Sequence, residues 1–98
     1  MAEIRLKANE PDKAAKFLAE ALETEMLRLK YMIKLAKRRL SRFEKKYNVT
    51  SKEFIQEWGA EDLEGKDLEY VEWAGEYNLT KRLDERLNAL KSIEHVPS

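Results

Sequence analysis

A single histidine, His95, and no cysteine occur in the 98 residues. A histidine-based triad needs its imidazole held beside a nucleophile, and a zinc site needs several nitrogen or sulfur ligands. His95 stands alone in the terminal stretch "EHVPS" and meets neither need. Carboxylates are more plentiful. Glu57, Asp62, Asp67 and Glu72 fall within or beside "EWGAEDLEGKDLEYVEW" and have the chemistry to collect a divalent cation or to act as an acid–base pair. The glycine-anchored spacing of a calcium loop is missing, however, and nothing singles out two of them as a buried pair. They read as a solvated connection. No glycine-rich phosphate-cradling loop is present. Trp58, Tyr70, Trp73 and Tyr77 offer faces on which bases stack, yet they read as core. These residues predict no enzyme, no metal and no cofactor.

Charge offers a different chemistry. Lys plus Arg equals Asp plus Glu at 19 each, so no net field draws the chain to nucleic acid or a membrane. The charges are nevertheless sorted. From Arg28 to Lys46 there are nine bases and one acid, Glu44, and from Glu53 to Glu76 nine acids and one base, Lys66. The basic block could contact phosphates through Arg38, Arg39 and Arg42, joined by Arg5 and Lys7 nearer the N-terminus. It reads better as the solvated side of a long helix, paired in part with the acidic block across a helix pair. The acidic block also suits a surface that fills a basic, RNA-binding cleft on a partner.

The elements that must position these groups are helical. Only three Gly and two Pro occur, with 39% charged and 43% hydrophobic residues, the composition of long helices. Residues 10–47 contain no Gly, and the only Pro is Pro11 in the first turn. They predict one helix of about 36 residues, roughly 54 Å long, capped by Asn9 and ended by a left-handed Asn48. Ten positions at alternating steps of four and three are apolar, from Ala15 through Leu22, Leu29 and Ala36 to Tyr47. That is a heptad seam. Thr50 and Glu53 form a T-x-x-E capping box that opens a short helix over 51–58, with Val49 placed to pack on Phe54. Asp67 caps a last helix over 67–93. Its stripe runs from Tyr70 and Trp73 through Leu83 and Leu87 to Leu90, with Gly75 costing about 1 kcal/mol against alanine. Residues 3–8, "EIRLKA", alternate in polarity and read either as a short strand or as a frayed tail. The expected fold is all-α, one domain over 1–98: a long helix, a short capping helix and an antiparallel return helix in a coiled-coil-like hairpin.

The long helix carries a second apolar stripe. At about 100° per residue, Phe17, Ala21, Leu27, Tyr31 and Leu35 cluster nearly opposite the seam. The last helix is too short to cover the seam and the stripe together. A second chain is expected on the stripe, a copy of this one or a different protein; the alternative is that the N-terminal segment and a bent helix fold over it. A strand at 3–8 would need a pairing edge from another molecule, which makes Ile4 and Leu6 interface candidates as well. A homo-oligomer, with a dimer favoured, is expected. The N-terminus lacks the apolar region of a secretory signal and no long uninterrupted apolar run occurs, so a soluble cytoplasmic protein is expected.

The stretches "FEKKYNVTSKEFIQEW" and "DLEYVEWAGEYNLTKRLDERLNALKSI" resemble a group of small archaeal and bacterial helical proteins that act as antitoxins in toxin–antitoxin pairs. The resemblance rests on Phe43, Glu44, Lys46, Tyr47 and Asn48, on Thr50, Ser51, Glu53 and Phe54, and on Glu72, Trp73 and the three leucines Leu83, Leu87 and Leu90. It implies a neutralising role: docking on a toxin, often an RNA-cleaving one. Many antitoxins bind DNA as ribbon-helix-helix dimers, but the helix after the 3–8 segment is too long for that pattern. A nucleic-acid-binding regulator and a purely structural homo-oligomer remain the alternative functions.

Overall fold

The computed structural model describes residues 2–57 and 68–93. Trp58, Asp62, His95 and the expected cap Asp67 lie outside them. The described chain is all-helical: α1 spans Pro11–Tyr47, α2 Ser51–Glu57 and α3 Leu68–Lys91.

The start of α1 differs from the expected one. Glu10, not Asn9, is the N-cap residue; its side chain makes no capping hydrogen bond, and Pro11 follows it. Proline lacks an N–H and its φ suits the first helical position, so it fixes the boundary one residue later and leaves one fewer orphan donor to cap. The Glu10 carbonyl accepts the first helical bond, from Ala14 N at 2.9 Å. The far end is as the sequence indicates: Asn48 has φ 55° and ψ 40°, the left-handed conformation that asparagine tolerates. Thr50 Oγ1 then accepts from Glu53 N at 3.1 Å, which opens α2. The end of α3 falls at Lys91, two residues short of the expected 93, where the Ile93 N–H bonds back three residues to the Leu90 carbonyl at 3.2 Å. That tighter bond closes the last turn.

α3 lies antiparallel along α1. Lys46 and Glu69 meet near the α2 end, Arg39 and Glu76 further along, and Leu29 and Ile33 pack on Leu83 and Leu87 beyond them. Two apolar clusters hold the pair. One is aliphatic: Leu29, Ile33, Leu83 and Leu87, with Met26, Met32, Leu79 and Leu90 against it. The other is aromatic, where α1, α2 and α3 meet. Phe54 stacks on Trp73 with centroids 4.0 Å apart and planes 4° apart; Phe43 and Tyr47 stack on the same indole at 5.5 Å. Trp73 Nε1 donates to Ser51 Oγ at 2.8 Å, and Ser51 N donates to Glu44 Oε2 at 2.7 Å. Trp73 is therefore a core residue, and Tyr70 and Tyr77 pack half-buried against the same cluster, the side their spacing indicates.

The helices differ in length. α1 has 37 residues and α3 has 24, so α1 exceeds its neighbour by about 20 Å. The seam is covered only where α3 reaches. Leu29, Ile33, Ala36 and Leu40 are buried and Leu22 and Met26 half-buried, whereas Ala15 and Ala19 are exposed. Every residue from Pro11 to Ala21 is exposed. Residues 2–8 form neither helix nor strand and are exposed throughout. Of the two readings of 3–8, the single chain shows the tail: the described residues offer no extended edge with which a strand's N–H and C=O groups could pair.

Candidate protein-docking surface

The overhang and the back of α1 form one continuous exposed face. Phe17 retains 61% of its accessible surface, Leu27 61% and Tyr31 63%; Ala21 is exposed and Leu35 half-buried. By helical rotation Phe17, Ala21, Tyr31 and Leu35 share a line, with Leu27 on its edge, and the buried seam from Leu29 to Leu40 lies across the helix. No other described element lies over this face: neither a bend in α1 nor the N-terminal segment covers it. Ile4 and Leu6 are exposed too, but they precede α1, so their link to the stripe is one of sequence order alone.

Several further apolar groups are exposed away from the stripe. Leu18 stands on the seam side of the overhang, where α3 does not reach, and Leu68 and Val71 stand in the first turn of α3. The helix-length difference reveals Leu18; Leu68 and Val71 lie on the side of their helix away from the stripe and carry no such signal.

The charged candidates separate into different environments. Arg39 is half-buried, with Nε 2.7 Å from Glu76 Oε1, and so serves the α1–α3 pair. Lys46 Nζ donates to Glu69 Oε1 at 2.7 Å, and Tyr47 Oη donates to Glu69 Oε2 at 2.6 Å. The lysine, followed by the tyrosine hydroxyl, holds the Glu69 carboxyl below the ordinary carboxylate range. These contacts join the basic and acidic blocks across the helices, as one reading of the charge pattern anticipates. Arg38 and Arg42 are exposed, and Arg38 lines a shallow groove on α1 with Lys30, Ile33, Lys34, Lys37 and Ser41. Arg5 lies 3.7 Å from Glu3, and Lys7 is exposed. About 40 Å of helix separates Pro11 from Arg38, so the N-terminal and α1 cations do not form one patch. On the stripe face itself, Arg28 bonds the Glu25 carboxylate, Nε to Oε1 at 3.1 Å, which holds the Glu25 carboxyl below its ordinary range.

Among the described residues no three His, Cys, Asp or Glu side chains are grouped to hold a metal ion, and no helix is long and apolar enough to cross a membrane. Of the four carboxylates weighed for a cation, Asp62 and Asp67 lie outside the described residues. No family model, curated protein or solved structure matches the chain. What the arrangement offers is apolar contact along a helix, framed by charge.

Proposed function

We propose that the chain is a non-catalytic protein-binding module: a cytoplasmic helical hairpin that associates through α1 and neutralises a partner protein, in the manner of a small antitoxin. One observation carries the reading. α1 outruns α3, and Phe17, Leu27 and Tyr31 stand exposed on a face that the described chain leaves uncovered. Contiguous apolar surface of this kind marks interaction sites, and each large side chain contributes about 1.5–3 kcal/mol once buried. The exposed 3–8 segment adds a second means of contact, since its unpaired backbone can join the sheet edge of a partner or its own copy. The resemblance to antitoxins supplies the class of partner, an RNA-cleaving toxin.

The test is binding and inhibition of the protein encoded by the adjacent gene. The native chain is expected to bind it and suppress its RNA cleavage. Leu27→Glu with Tyr31→Glu is expected to lower the oligomeric state or weaken partner binding by about 100-fold or more, the loss typical of hot-spot residues. Helicity should be unchanged, because both side chains are exposed in the single chain. Retention of both properties in the double variant removes the stripe as the docking surface. A second reading has its own observation: Lys30, Lys34, Lys37 and Arg38 gather along one groove. A regulator that binds nucleic acid there would lose affinity steeply as salt rises, whereas docking through the apolar stripe would not.

A further inference from the structure

Charge changes sign along the apolar stripe. From Glu10 to Glu25 five acids stand against two lysines; from Arg28 to Arg38 there are five bases and no acid. Three residues on one edge of the stripe are spaced by seven: Glu20, Leu27 and Lys34. Leu27 is the midpoint, with the acid on one side and the base on the other. Neither Glu20 nor Lys34 forms an ion pair within the described chain. The side-chain volumes along the stripe are also graded. Along the line Phe17, Ala21, Thr24, Arg28, Tyr31 and Leu35, the small Ala21 and Thr24 fall on one side of the midpoint and the larger Arg28, Tyr31 and Leu35 on the other.

Such a pattern complements itself when reversed. With a two-fold axis beside Leu27, Glu20 meets the partner's Lys34, Leu27 meets the partner's Leu27, and the small Ala21 lies opposite the partner's Tyr31. Phe17 then falls beside the partner's Leu35. A parallel pairing would instead set Ala21 against its own copy, leaving a gap, and align acid with acid over the first half of the helix. Surface area allows the reversed arrangement. The chain exposes 8395 Å², about 2,500 Å² more than a compact monomer of its mass, and a stable dimer takes about 800 Å² from each partner.

We propose that the occupant of the stripe is a second copy of this chain, packed antiparallel with the two-fold axis beside Leu27. This rests on reading the stripe as a docking surface, and it adds the occupant and the register. The 3–8 segment remains available to a different partner.

The chain contains no cysteine, so introduced thiols report position cleanly. Full-length Phe17→Cys protein mixed with Leu35→Cys protein, treated with a short dithiol-reactive linker, is expected to give the mixed covalent dimer. Phe17→Cys protein alone is expected to give little. In sedimentation, native chain is expected to dimerise, Glu20→Lys to weaken the dimer about 3- to 10-fold, and Glu20→Lys with Lys34→Glu to restore it. A monomer at all concentrations, efficient linkage of Phe17→Cys protein to itself, or a dimer indifferent to the charge swap would each overturn the proposal. A native monomer whose toxin binding is abolished by Leu27→Glu with Tyr31→Glu overturns self-pairing alone. An antiparallel dimer that binds no toxin supports self-pairing and removes the neutralising role.

Discussion

Trp73 has no exposed surface, and its indole N–H is satisfied by Ser51, the first residue of α2. Ser51 in turn donates its backbone N–H to Glu44 on α1, so one small hydroxyl-bearing residue ties three helices together. Ser51→Ala would leave the buried indole without its acceptor, at a cost of about 1–3 kcal/mol. Chemical denaturation should show this as a lower midpoint with an unchanged slope. Trp73 was legible as core from its place on an apolar stripe. Ser51 was not, because the T-x-x-E pattern draws attention to Thr50 and Glu53. That pattern describes local backbone capping, whereas the Ser51–Trp73 bond joins residues brought together only by helix packing.

At the scale of elements, the heptad seam and the absence of breakers made α1 legible almost to the residue. Its start is less legible, because Asn9 is the better capping side chain while Pro11 dictates where the first turn begins. The 3–8 segment was ambiguous for a physical reason: alternation states which face a strand would bury, but a strand also needs an edge, and the described chain supplies none. Gly75 tests how far α3 depends on packing. A Cβ built at this position meets nothing within 4 Å, so alanine fits without strain. Gly75→Ala is expected to raise stability by about 0.5–1 kcal/mol, read as an increased melting temperature. A decrease would mean that something approaches the helix closely there in the native assembly.

The whole molecule is extended, 56 Å along its longest axis, with a radius of gyration of 18.9 Å against about 13 Å for a compact domain of similar length. The excess length is α1. The sequence revealed that one helix carries two apolar faces, and the structure adds that part of the seam is open as well, because α3 stops short of Ala15 and Ala19. Residues 2–21 are all exposed in the single chain, so their deletion is expected to change the unfolding free energy of dilute protein by less than about 1 kcal/mol. A larger loss, measured by urea titration below the association range, would show that the arm supports the core directly.

The aromatic junction sits at one end of α1 and the bare arm at the other. The packing around Trp73 and Phe54 and the start of the proposed docking face at Phe17 are therefore encoded at opposite ends of the same helix. On the proposed docking role, replacing Phe17 or Ala21 redirects recognition without disturbing Trp73 or Phe54. A lineage carrying this scaffold is free to change companions while its foundation stays as it was.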